Sequence, residues 1–167
     1  MSTITALLHA ENDALRLGRC LETLYPCDEI VIVDHGSQDA TVQIAREYGA
    51  RVVRVAPGSA FEFSEQVMKA VGNGTAKWIL CLDPRESLSE ALAASLFELK
   101  SGGPGTATAG PAFSVFVREE GTEGWIENRT RQTRLVPTGW NRWQGRFPVT
   151  DSSAMALEGD LLRFVFP

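Results

Sequence analysis

Three clusters of polar side chains punctuate the first half of the chain, and each follows a short apolar run. His9, Glu11, Asn12 and Asp13 follow the first run, Asp34 and His35 the second, and Asp83, Arg85 and Glu86 a later one. Carboxylates and imidazoles gathered in one place can accept hydrogen bonds from a base or a ribose. Paired carboxylates can also hold Mg²⁺ or Mn²⁺ against a diphosphate. Each cluster has a plainer reading as ordinary loop polarity, and Asn12 and Asp39 have a structural task as helix caps. The readings separate on whether the clusters meet in space, which the intervening elements decide.

Residues 3–8 read as a strand, and residues 12–24 as a helix with Asn12 as N-cap and Leu17, Leu21 and Leu24 on one face. Residues 29–33 form an almost unbroken apolar run, which suits a strand covered on both faces. After the turn that begins at Asp34, Asp39 can cap a helix that ends at Gly49. Residues 51–55 read as a third strand, 62–71 as a helix and 78–82 as a fourth strand, which ends at Asp83 because Pro84 biases that residue away from helix. Ser87-Leu88-Ser89-Glu90 has the pattern of a capping box, opening a helix with Leu88, Leu92, Leu96 and Leu99 at helical spacing. Alternation of this kind predicts an α/β fold, a mainly parallel sheet flanked by helices. Ligands of such sheets gather at the carboxyl ends of strands, near the switch in strand order. All three polar clusters fall at such ends.

The texture changes after residue 100. Residues 101–110 are rich in Gly, Ala and Thr and read as a loop, and 112–166 read as short strands and turns. Arg118, Arg129, Arg131, Arg134, Arg142 and Arg146 interleave there with Trp125, Trp140 and Trp143. They suit either an acceptor surface or an edge sheet with an aromatic core and balanced charge.

The 167 residues are enough for one domain with a sizeable core. A net charge of −5 argues against general affinity for nucleic acid, so an anionic ligand needs a local basic group. Cys20, Cys27 and Cys81 have no metal-ligand spacing and read as small buried side chains in a reducing compartment. The start of the chain lacks a basic leader, and no apolar run approaches the roughly 18 residues of a membrane span. The expectation is a cytoplasmic protein, with peripheral placement at the inner membrane left open. The chain has no P-loop, no Gly-rich dinucleotide turn after its first strand and no nucleophile elbow, which disfavours those enzyme classes.

The segment from Glu29 to Thr41, EIVIVDHGSQDAT, resembles the DEIVVVDxGSxDgT stretch of inverting family-2 glycosyltransferases with the GT-A fold. Asn12-Asp13 is similar to that family's N-E pair. Phe63-Ser64-Glu65 and the run from Trp78 to Asp83 resemble its approach to the D-x-D motif, and Arg134-Leu135 its later R-L-F. The resemblance is nearest to the bacterial branch that modifies lipopolysaccharide core. It implies a single GT-A (Rossmann-like) domain over 1–167, with a nucleotide-binding half at 1–100 and a smaller β-rich, acceptor-side half at 111–167. It implies a nucleotide-sugar donor, UDP-type in the first instance, and a glycan or lipid-linked acceptor. His9, Glu11, Asp13, Asp34, His35 and Asp83 would then bind the nucleotide. Arg85 and Arg134 would face diphosphate or acceptor, and Asp83 with Glu86 would hold Mg²⁺ or Mn²⁺ if a metal is used.

The catalytic motifs depart from the pattern. D-x-D-E reads Asp83-Pro84-Arg85-Glu86, the R-N pair reads Val67-Met68, and V-H-E falls near Phe147-Pro148-Val149. Glu86 and Asp151 remain as candidate general bases. The Arg85 guanidinium can stand where a metal would and neutralise the diphosphate directly, a metal-independent alternative to its plainer reading as a solvated turn arginine. Two functions follow: an active transferase, or a non-catalytic relative that binds nucleotide or a protein partner.

Overall fold

The computed structural model describes residues 2–56, 77–102 and 112–166. The helix expected at 62–71, the motif residues Phe63, Ser64, Glu65, Val67 and Met68, and most of the 101–110 loop lie outside the described residues.

The first half of the sheet is laid down by β1 (Ile4–Ala10), α1 (Ala14–Glu22), β2 (Glu29–Asp34), α2 (Thr41–Glu47), β3 (Arg51–Arg54) and β4 (Trp78–Leu82). Their four strands lie in the order β3-β2-β1-β4, all parallel. β1 is buried along its whole length, in keeping with a sequence that is apolar except at Thr5 and His9. Its side chains serve two cores in alternation. Ile4, Ala6 and Leu8 pack with Leu17, Leu21 and Leu24 of the α1 region, whereas Leu7 joins Val31, Val33, Ile79 and Cys81 on the opposite face.

The remaining elements are β5 (Glu86–Leu88), α3 (Glu90–Lys100), β6 (Phe113–Gly121), β7 (Gly124–Trp125), β8 (Thr130–Pro137), β9 (Trp143–Gln144), β10 (Phe147–Pro148) and β11 (Met155–Arg163). They extend the sheet beyond β4 in the order β8-β6-β11-β5, with β7 paired to β6. β8 runs antiparallel to β4 and to β6, so the sheet is parallel in one half and mixed in the other. β9 and β10 form a separate hairpin whose Trp143 and Phe147 pack on the second core with Trp140. Among the described residues no helix is long and apolar enough to cross a membrane.

Local chemistry moves two element starts. Ser87 and Leu88 belong to β5, and α3 begins at Glu90 with Ser89 as N-cap, its Oγ accepting from the Leu92 N–H at 3.1 Å. The Ser87–Glu90 capping box is therefore not formed, because β11 claims that segment as a strand partner. Nor does Asn12 cap α1. It sits at φ 52°, and its Oδ1 accepts from the Gln38 N–H. Gly159 marks a close crossing of β11 over the start of α3: at φ +101° a Cβ there would lie 2.2 Å from the Leu92 nitrogen.

Candidate functional site

The strand order reverses between β1 and β4, since the chain builds outward through β2 and β3 and then returns to the far side of β1. This is the switch point at which a crevice opens above the strand ends. Register sets what borders it. Ala10 at the end of β1 pairs with Asp34 at the end of β2, and Leu8 pairs with Leu82, one residue before Asp83. His9, Asp34 and Asp83 are thus brought to one rim of three adjacent parallel strands.

Two loops shape the rim by fastening to each other. The Asn12 N–H donates to Ser37 Oγ at 2.9 Å, the Asp13 N–H to Thr41 Oγ1 at 2.8 Å and the Ala14 N–H to Asp39 Oδ2 at 3.1 Å. Asp39 Oδ1 also accepts from the Thr41 N–H, so one carboxylate serves the first turns of both α1 and α2. These bonds explain the Ser, Asp and Thr of the Gly-Ser-Gln-Asp-Ala-Thr turn as positioning groups. An open hollow between α2 and Arg54 flanks the turn on its β3 side, but His9, Asp34, His35 and Asp83 are not among its lining residues.

Asp34 is the unusual member. It is 0% exposed, and its Oδ2 accepts from the Ser37 N–H at 3.1 Å with Arg54 Nε at 3.7 Å. Its Oδ1 is also buried, yet has no hydrogen-bond partner among the described residues. A buried acceptor without a donor costs about 1–3 kcal/mol, which a ligand N–H or O–H would recover. Next to it, His9 Nδ1 and His35 Nε2 lie 2.8 Å apart with the rings stacked. Burial, His35 and Arg146 push the His9 pKa down to about 3, so the His9 imidazole is uncharged at neutral pH. Asp13 titrates above the usual carboxylate range, chiefly through burial, with Asp83 and Asp39 close enough to add to the shift. Glu11 is exposed, its backbone N–H donating to Asp13 Oδ2.

The turn after β4 is closed on itself. The Glu86 N–H donates to the Asp83 carbonyl at 2.8 Å, and the Asp83 N–H donates to Glu86 Oε1 at 2.7 Å. Asp83 Oδ1 accepts from the Arg85 N–H and from Arg85 Nε at 3.0 Å. Glu86 is fully buried, and its oxygens are taken by Arg134 Nη1 at 2.8 Å, Arg134 Nη2 at 3.0 Å and Arg163 Nη2 at 2.8 Å. Arg134, expected at diphosphate or acceptor, is only 1% exposed. Every N–H of its guanidinium has an acceptor from Glu86, Gln132 or the Cys81 carbonyl, and the plane stacks on Phe147. Asp151 Oδ2 accepts from Arg142 Nη2 and Oδ1 from Ser153, and the Ser153 hydroxyl, then its N–H, hold the carboxyl below the usual range. Arg129 pairs with Asp160. The Glu86–Arg134 pair joins residues 48 apart in sequence, and only the placement of β8 beside β4 reveals it.

This donor set does not suit a divalent cation as placed. Asp83 Oδ1 already faces two Arg85 N–H groups, both Glu86 oxygens face arginines, and among the described residues no three His, Cys, Asp or Glu side chains gather as ligands.

A sheet of this kind, parallel at the switch point where acids and imidazoles gather and antiparallel beyond it, has the architecture of the GT-A fold. Residues 7–84 match the family described as Glycosyl transferase family 2. The chain is 32% identical over 98 residues to the lipopolysaccharide core biosynthesis glycosyltransferase LpsC of Rhizobium meliloti, covering 58% of this chain and 36% of that protein. It is 34% identical over 89 residues to a TPR repeat-containing protein of Synechococcus elongatus, covering 53% of this chain and 22% of that one. The chain thus spans about a third or less of the length of these relatives. Among solved structures, Staphylococcus aureus TarS residues 1–349 in complex with UDP superposes with a TM-score of 0.57 at 15% identity, over 75% of this chain and 38% of that chain. That likeness bears on the fold.

Proposed function

We propose that this chain binds a nucleotide-diphosphate sugar, UDP-linked in the first instance, at the β1–β2–β4 rim. The base lies against Asp34, His35 and His9, with Glu11 and Asp13 beside it and the ribose at Asp83. The single observation that carries this reading is the fully buried Asp34 carboxylate with an unpartnered Oδ1 at the switch point. A base N–H supplies the missing donor. The TarS crystal structure containing UDP, and the family match across residues 7–84, support a nucleotide-sugar ligand.

The reaction such a site serves is transfer of the sugar, with inversion, to a hydroxyl of a glycan or lipid-linked acceptor, a carboxylate taking the proton. A second reading, binding without turnover, is favoured by a specific observation. Glu86 and Asp151, the candidate bases, are both occupied by arginines. A carboxylate already paired with a guanidinium has little capacity to take a proton.

A thermal-shift panel of UDP, GDP and dTDP with their sugars, each with and without Mn²⁺, tests the binding reading. A ligand that binds only the folded state raises the melting temperature. One nucleotide class should do so, and silence across the panel contradicts the proposal. Release of free sugar or transfer to acceptor, measured on the same ligands, separates the transferase from the binding module.

A further inference from the structure

We propose that Arg85 itself, in place of a divalent cation, engages the diphosphate of the bound nucleotide. This rests on the nucleoside reading above. Its basis is the turn Asp83-Pro84-Arg85-Glu86, which leaves β4 at the rim and is fixed by the Glu86 N–H on the Asp83 carbonyl and the Asp83 N–H on Glu86 Oε1. Within it, Asp83 Oδ1 holds both the backbone N–H and the Nε of Arg85, so the guanidinium is oriented from one edge only. Both Nη groups have no partner among the described residues, and the side chain is 42% exposed.

That combination sets Arg85 apart from three arginines of the mixed half of the sheet and its neighbouring loop. Arg134 is spent within the core, Arg163 on Glu86, and Arg142 on Asp151. Arg85 presents an open fork of donors, the geometry that matches two phosphate oxygens at once. Asp83, then Glu86 and Asp13, reinforce its positive charge. The same hydrogen bonds explain why a metal has no seat here. A cation entering at Asp83 would meet the guanidinium already on Oδ1, and the neighbouring carboxylate, Glu86, is neutralised by two arginines. One residue thus both occupies the carboxylate and supplies the positive charge.

Calorimetric titration of the whole chain in EDTA tests this, using matched pairs: uridine with UDP, guanosine with GDP, and thymidine with dTDP. For the pair that binds, the diphosphate should bind at least tenfold tighter than its nucleoside without metal. Arg85→Ala should bring the diphosphate down to the nucleoside's affinity and leave the nucleoside unchanged, and Arg85→Lys should keep part of the gain. Arg85→Asp should make the diphosphate gain depend on added Mn²⁺. Arg85 is an exposed turn residue, so circular dichroism melts should match across the set. A diphosphate that binds no tighter than its nucleoside, or tighter only with Mn²⁺ in the wild type, overturns the proposal while the base site stands. Binding of neither nucleoside nor diphosphate in any pair removes the base site, and the proposal with it.

Discussion

Two carboxylates among the described residues are completely buried, and they are treated in opposite ways. Glu86, in the mixed half of the sheet, has both oxygens filled by Arg134, Arg163 and the Asp83 N–H. Asp34, at the end of a parallel strand, keeps one oxygen without any donor among the described residues. Burial of an acceptor is tolerated when its partners are built in, as for Glu86, and is otherwise a standing cost. The saturated carboxylate therefore marks architecture, and the unsatisfied one is the atom to which the proposed nucleoside would donate. The comparison also separates the halves: the loops after β1 and β2 aim their polar groups at one another, while in the half expected to face acceptor Arg134 and Arg163 are turned onto the buried Glu86.

The sharpest way to break that contrast is to cut the saturated network. Glu86→Ala leaves Arg134 buried without its counter-ion, and chemical denaturation should show a loss of about 3–5 kcal/mol. A loss below about 1 kcal/mol would mean that the network is not the strut described here.

Next in size is the pH dependence of the parallel half. His9 has its pKa lowered to about 3 by burial, against an ordinary 6.5 in the unfolded chain. The sign follows from which state binds the proton. The unfolded state takes it up first, so the stability from neutral His9 is present above pH 6.5 and is lost as the pH falls toward 3. Between pH 7.5 and 5 the loss from this residue is about 2 kcal/mol. His9→Asn should flatten that slope whatever it does to the absolute stability, and an unchanged slope would remove His9 as its source.

Smallest in stability should be Asp34→Asn. One of its oxygens contributes nothing to the unliganded fold, and its ionic partner Arg54 is 3.7 Å away and largely exposed. The expected change is within about 1 kcal/mol, in contrast to Glu86.

The parallel half was legible because each strand is an apolar run and each following helix has a periodic face. The runs at 3–8, 29–33, 51–55 and 78–82 became β1 to β4 within two residues. Once alternation fixes a parallel sheet, His9, Asp34 and Asp83 must share an edge. Less visible was how the loops close. The Ser87–Glu90 pattern satisfies a capping box on paper, but tertiary pairing with β11 converts its first residues to strand and passes the cap to Ser89. The burial of Arg134 was hidden for a different reason. An arginine beside a leucine reads equally as surface or core until Glu86 and Gln132 are brought to it by neighbouring strands.

The claim on which the rest depends is that Asp34 Oδ1 is held open for a nucleoside. The direct measurement is calorimetric affinity of UDP, GDP and dTDP for the wild type and for Asp34→Asn, alongside their melting temperatures. At least one nucleotide should bind the wild type and lose tenfold or more on Asp34→Asn while the melting temperature holds, since a hydrogen bond to a charged acceptor is worth about 1.5–3 kcal/mol. Equal affinity in the two proteins, or no nucleotide binding to the wild type, would contradict it.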